Sequence, residues 1–443
     1  MKKQDRLPVK REPFTPSAEV KNTHKSAPEL KHRFKSIFTD GIRSVGVSDD
    51  DKFLVITFEG AQGWIKVLDL DRLEFMPHDY SSHTESVRLT SISKDCRTVY
   101  TASWDCTFRR FDILNGSFDW ILRGYGRSPS CFLDPREKLL FTASYDQDFD
   151  LSARNNGRCW DIATGEEINV YRHLNNRKGT ECIDIACDGK SVYTASDDGY
   201  TYRFMLNGEQ PDLEYFHFEG AVRKLSISSR YICTACTDGF IRIHDKNSGN
   251  LHRYLFHSEA EVRDVKIASD ETRVYSASED GSVKCFDLVT GKEIFYTQVH
   301  SSWIWSICLC QEDKVLVTGS SDGSAAFIST GNGRILARLQ NIQSDGNLLI
   351  SCESDESFPS GFFYTNNPDD VFVFSKSYNT PMNLLRKDDP ERLHYIQKHN
   401  LKNLVLARIR NNGSYADLTG RYRDLKNFIT RGTAERLPLM LRE

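Results

Sequence analysis

The chain has 443 residues, of which 39% are hydrophobic and 27% charged, the balance of a soluble globular protein with room for one large closed domain and tails. It holds no run of 18 or more apolar residues, so no membrane-spanning helix is expected. Nor is a secretory signal, because Met1-Lys2-Lys3-Gln4-Asp5-Arg6 runs into prolines and charges. The net charge of −4 hides an asymmetry: residues 1–33 carry nine Lys/Arg against four Asp/Glu, 376–443 carry fourteen against seven, and the middle carries 35 against 51.

In chain order, residues 1–32 hold Pro8, Pro13, Pro16 and Pro28 among many charges, the composition of a basic disordered arm. Four short β-type runs follow, at 33–38, 42–47, 53–58 and 64–69. Then one phrase recurs: Thr101-Ala-Ser-Trp-Asp105, Thr142-Ala-Ser-Tyr-Asp146, Thr194-Ala-Ser-Asp-Asp198, Thr234-Ala-Cys-Thr-Asp238, Ser276-Ala-Ser-Glu-Asp280 and Thr318-Gly-Ser-Ser-Asp322. The aspartates are 41, 52, 40, 42 and 42 residues apart, and extra residues in 148–158 explain the long interval. In the unit around Asp280, apolar runs at 262–267, 273–277 and 282–287 and a run after Thr290-Gly291 predict four strands. Asp280-Gly281 marks the tight hairpin, with the glycine supplying a positive φ. Four strands in some forty residues is the period of one propeller blade. A weaker group follows at 334–339, 348–352, 361–365 and 370–374. In the basic extension 377–443, Asp388-Asp389-Pro390-Glu391 is a helix start and Leu393, Ile396 and Leu401 an apolar stripe. Residues 404–409 continue it to a stop at Asn411-Asn412-Gly413, and a further helix is expected over 415–431. These amphipathic helices are expected to pack on the propeller rim, with docking of a partner helix as the other reading.

The repeats resemble the WD-repeat family. Its Trp-Asp ending occurs in full at Trp160-Asp161, and the Trp position elsewhere holds Phe111, Phe204, His244, Phe286 or Ile328. Its histidine ahead of the first inner strand is matched by His83, His257 and His300, and more loosely by His173 and His217. The resemblance implies an all-β propeller with a hydrogen-bonded clip in each blade, one set being His257, Ser276, Asp280 and Phe286. A His–Ser–Asp trio also suggests a hydrolase, but a triad is needed once and a clip in every blade. Six clear units with a weaker one on each side predict eight four-stranded blades over 33–376. Seven, with 341–376 packed outside, is the alternative. Closure would pair 33–38 with 371–374 and bring the two basic tails together.

Catalytic and cofactor motifs are lacking: no Gly-x-x-x-x-Gly-Lys-Ser/Thr, no His-Glu-x-x-His, no Gly-x-Gly-x-x-Gly after a strand. Gly319-Ser-Ser-Asp-Gly323 lies in a strand-to-strand turn, where a nucleophile elbow needs strand to helix. Cys233 and Cys236 stand three apart on a strand, facing opposite sides. Cys308 and Cys310 share a face, as a small buried pair. The run Asp146-Gln-Asp-Phe-Asp150 lacks the glycine and the distal glutamate of a calcium loop. No catalytic, cofactor-binding or metal-ligating residue is therefore expected, and the twelve cysteines read as free thiols.

The resemblance also puts on the top face the residue before each turn aspartate, Trp104, Tyr145, Asp197, Thr237, Glu279 and Ser321. With them come residues near the start of inner strands, Ser86, Glu181, Glu261 and Trp303. Aromatics flanked by acids are suited to a Lys/Arg-rich peptide of a partner protein, and the chain's own N-terminal arm is a candidate occupant. The expected function is a non-enzymatic protein–protein interaction scaffold. A nucleic-acid-associated factor using the tails comes second and a propeller enzyme third. A monomer is expected, since closure removes free sheet edges. The expected location is the cytoplasm, or the nucleus of a eukaryotic host.

Overall fold

The computed structural model describes residues 29–34, 40–60, 63–80, 82–124, 126–146, 156–172, 182–217, 220–340, 347–353, 362–367, 371–376, 383–384, 387–388 and 390–410. The N-terminal arm before residue 29, the acidic tip 147–150 and the helix expected over 415–431 lie outside them.

Each repeat folds as an antiparallel meander in which sequential strands pair. Seven such sheets stand in a ring, with inner strands Ile42–Val47, Val87–Ile92, Gly126–Leu133, Cys182–Cys187, Val222–Ile227, Val262–Ile267 and Ile304–Cys310. We number these sheets blades 1 to 7. The second strand of a blade is covered on both faces, which explains its continuous apolar run: all six residues of Ser191–Ser196, Tyr231–Cys236 and Val315–Ser320 are buried. Outer strands alternate toward solvent, as in Leu251–Phe256. The turn glycines are required by geometry. Gly239 and Gly281 have φ of 80° and 78°. A Cβ there would stand 1.8 Å from the Ser258 oxygen and 2.3 Å from the His300 oxygen.

Polar side chains of the inner strands tie neighbouring blades together. Asp184 accepts from the Leu225 amide at 3.0 Å, Ser226 from Ile267 at 3.1 Å, Asp264 from Ile307 at 2.8 Å and Ser306 from Val45 at 3.4 Å. The last of these closes the ring directly between blades 7 and 1.

Among the described residues the count is seven, the alternative given above, and the runs expected as an eighth blade form no four-stranded sheet of their own. Strands Leu349–Cys352 and Phe362–Thr365 hydrogen-bond onto the edge of Ile335–Gln340, through Arg338↔Ser351, Leu339↔Ile350 and Gln340↔Leu349. Blade 7 thus becomes a six-stranded sheet that grows outward. The physical reason lies in Ile335–Gln340, whose burial exceeds that of other outer strands because the added hairpin covers it. The closing pair also differs from expectation. Glu29–Phe34, rather than 33–38, runs antiparallel to Val371–Lys376, in a small separate sheet completed by Asn383–Leu384.

Among the described residues two helices follow, α1 (Pro390–His399) and α2 (Lys402–Arg410). Both pack on the propeller. Tyr395 and Ile396 of α1 join Leu349, Phe363 and Val371. Val405 and Ile409 of α2 join Leu68, Leu70 and Leu73 of blade 1 and Phe362 of blade 7. Lys402 reaches Glu74 at 2.8 Å and Arg410 pairs with Asp71, so α2 straddles the seam where the first and last blades meet. Among the described residues no helix is long and apolar enough to cross a membrane.

Candidate partner-docking face at the channel mouth

Residues expected on the top face stand side by side in pairs. Within a blade, the residue before the turn aspartate donates its amide to the residue that opens the inner strand. Trp104 bonds to the Ser86 carbonyl at 3.1 Å, Glu279 to Glu261 at 3.0 Å and Ser321 to Trp303 at 2.9 Å. Thr237 makes the same bond to Ala221 at 2.9 Å. Asp197 occupies the equivalent position in blade 4, partly exposed. Glu181 and the side chain of Tyr145 lie outside the described residues. Trp303 is 44% exposed, whereas Ser86 is buried with its hydroxyl unpaired.

The pattern conceals a second set of residues closer to the axis. In every blade the pairing of the first two strands shifts register at the start of the inner strand. The residue at that bulge is Arg43, Arg88, Ile183, Arg223, Arg263 or Trp305, and Arg127 borders the wider bulge of blade 3. A bulge leaves its extra residue unpaired and re-aims the side chain. Arg43, Arg88, Ile183, Arg223, Arg263 and Trp305 line a depression of about 260 Å³ together with Trp104. Arg43 lies 3.3 Å and Arg263 4.7 Å from the Trp305 ring centre. Arg88 and Arg127 lie 4.1 and 5.0 Å from that of Trp104. These are cation–π distances. A signal for this ring exists in the sequence: Arg88, Arg263 and Trp305 each stand seventeen residues before the turn aspartate of their own unit.

The acids of the face are largely engaged. Glu59 pairs with Arg43 at 3.1 Å. Glu261 is shared by Arg223 at 3.1 Å and Arg263 at 3.0 Å, and Glu279 also holds Arg263. Burial pushes the Glu59 carboxyl above its ordinary range, and nearby Asp40 adds to the shift. Below the mouth, a cavity of about 800 Å³ runs through the ring. In its wall the Lys224 ammonium sits 2.9 Å from Asp184.

The His–Ser/Thr–Asp sets lie at the same turns and repeat from blade to blade. His83 bonds Asp105 at 2.9 Å and Thr101 at 2.8 Å; His300 bonds Asp322 at 3.1 Å and Thr318 at 2.7 Å. His257 instead bridges Ser276 at 2.7 Å and Ser282 at 2.9 Å, while Asp280 is held by Ser282. Phe286 is buried at the aromatic position, and Trp160 donates to Thr142 at 2.9 Å. Buried and recurrent, these sets act as clips between strands. Cys233 and Cys236 belong to different core clusters, as strand alternation requires.

Three stretches of the chain, 76–112, 249–287 and 291–328, match the family model of the WD domain, G-beta repeat. The chain is similar to the WD repeat-containing protein 91 homolog of Dictyostelium discoideum, 22% identical over 322 residues, 68% of this chain and 40% of that protein. Autophagy-related protein 16 of Arabidopsis thaliana is 26% identical over 227 residues, 50% of this chain and 41% of its own length. Protein groucho of Drosophila melanogaster is 21% identical over 291 residues, 64% of this chain and 38% of its own. The matched region therefore spans about two fifths of each of these three relatives.

Proposed function

The chain belongs to the WD-repeat β-propellers, and from that premise we propose that it is a non-enzymatic scaffold that docks a partner protein on the top face, at the channel mouth. One observation carries the reading: Trp104 and Trp305 line a single depression with Arg43, Arg88, Arg223 and Arg263, and the exposed Trp303 packs edge-on against Trp305 with ring centres 5.2 Å apart. Trp and Arg supply the largest share of binding energy where proteins meet, because they combine apolar area with directed polar contacts. The acids expected to hold a basic segment include Glu261 and Glu279, both already bound to arginines. A second reading, nucleic-acid binding, rests on the charge of the tails and predicts steeply salt-dependent binding that disappears with them.

The test of the docking face is the triple change Trp104→Ala, Glu279→Ala and Trp303→Ala in the full chain. Partner co-purification is expected to fall at least about tenfold, the effect of losing one hot-spot residue, with the circular dichroism of the propeller unchanged. Undiminished partner recovery by a folded triple variant would remove the face from the function.

A further inference from the structure

We propose that the arginine ring receives a short acidic segment of the partner protein, with its carboxylate or phosphate groups on the guanidinium groups and an apolar side chain against Trp104 and Trp305. This deepens the docking reading and rests on it. The first support is convergence. Arg43, Arg88, Arg127, Arg223 and Arg263 come from five of the seven blades, all from the bulged start of an inner strand, so they approach one axis. No other chemistry recurs at that position so often.

The second support is how these side chains are held. A guanidinium presents five N–H donors in a rigid fork suited to two oxygens of one anion. Glu59 reaches one nitrogen of Arg43 and Glu261 one nitrogen of Arg223, whereas Glu279 takes two nitrogens of Arg263. The ring planes of Trp305 and Trp104 keep Arg43, Arg263, Arg88 and Arg127 oriented in advance, which reduces the ordering that a ligand must impose. Glu261, shared between Arg223 and Arg263, shows that a carboxylate fits between neighbouring blades.

The third support is contrast. Residues 34–375 carry 35 Lys/Arg against 51 Asp/Glu, an acidic balance overall, while at the centre five arginines stand against the three glutamates Glu59, Glu261 and Glu279 that pair with them. A long acidic chain is disfavoured over most of the surface. A short one, flanked by neutral or basic residues, gains at the mouth what it does not lose elsewhere. A lysine-rich segment meets like charge at the ring.

The test uses the full chain and labelled peptides of roughly twelve residues, alternating Glu and Gly around a central Leu, read by fluorescence anisotropy. Matched peptides carry phosphoserine or Lys in place of Glu, and a single-stranded RNA of similar length is the fourth probe. The Glu or phosphoserine peptide is expected to bind at least about tenfold tighter than the Lys peptide. The order of those two assigns carboxylate or phosphate as the natural group. Arg88→Glu with Arg127→Glu is expected to weaken acidic-peptide binding about 100-fold and to shift preference toward the Lys peptide. The milder Arg88→Gln with Arg127→Gln should weaken binding without that shift. A Lys peptide that binds the unaltered chain as well as the acidic ones would overturn the proposal, as would RNA that binds this mouth more tightly than either. If no peptide binds, yet the triple alanine change still releases the partner, the acidic-ligand inference fails and the docking face stands.

Discussion

Replacing Lys224 by Met is expected to destabilise the propeller by about 3–5 kcal/mol, the penalty for leaving a buried charge without its counter-ion. The Lys224 ammonium lies 2.9 Å from Asp184 in the channel wall. Burial pulls its pKa down, but Asp184 and Asp264 overcome that and hold the group charged. Asp184 is itself committed: it accepts from Ser130 at 2.5 Å and from the Leu225 amide at 3.0 Å, joining blades 3, 4 and 5. Without the ammonium, that carboxylate stays in the wall with only neutral donors. Changing Lys224→Met together with Asp184→Asn removes both charges and should recover most of the loss. Urea denaturation of the single and double variants measures this directly. A single-variant loss below about 1 kcal/mol would mean that the pair is solvated like a surface ion pair.

Acidification from pH 6.5 to 4 is expected to remove several kcal/mol of stability, through histidines that the fold keeps neutral. Burial lowers His257 and His244 to about 4 each, and puts His217 well below its ordinary value. In the unfolded chain each takes a proton near pH 6.5. Between that value and the folded pKa the unfolded state binds more protons. Stability therefore falls as the pH drops, by about 1.4 kcal/mol per pH unit for each such histidine. Below that window the aspartate clips take over. The Asp105 carboxyl is raised by burial, but its hydrogen bond and charge interaction with His83 leave it well depressed, and Asp322 is depressed likewise by His300. Their contribution is present above the ordinary carboxyl pKa near 3.9 and is lost as the pH falls further. His244 provides the discriminating variant. It fills the aromatic position with a buried ring nitrogen, Nδ1, that has no hydrogen-bond partner. His244→Phe restores the residue used at that place in blades 2, 4 and 6, and should flatten the stability slope by about one proton. Denaturant unfolding at several pH values between 7 and 4 reads the slope, and an unaltered slope in His244→Phe would contradict the assignment.

The blades were legible in the sequence because every one solves the same burial problem. A strand covered on both faces needs a continuous apolar run, and the tight turn after it needs Asp and a residue tolerant of positive φ. Six copies of that solution stand in the chain. The number of blades was harder to read. The runs around Leu349–Cys352 and Phe362–Thr365 have the local pattern of any strand. Whether they begin an eighth blade or widen the seventh depends on the already closed contact between Val45 and Ser306, a pair far apart in sequence. The site divided in the same way. Positions beside the turns follow the repeat, so the family resemblance implied where Trp104, Glu279 and Ser321 stand. The arginine ring depends on a bulge, and one extra residue reverses which side chains face the axis. The acids consequently read as an open binding surface, although Arg263 and Arg223 hold Glu261.

The most direct test of the docking face is site-specific photo-crosslinking from opposite ends of one propeller. A photoreactive amino acid is placed at Trp303, exposed beside the mouth, and in a second protein at Thr290, exposed in a turn at the other end of blade 6. Discrete adducts with a partner protein in cells of the source organism are predicted from position 303 and not from position 290. They should be lost when Arg88→Glu and Arg127→Glu are added. Adducts from position 290 alone would place the partner on the opposite end of the disc and contradict the account.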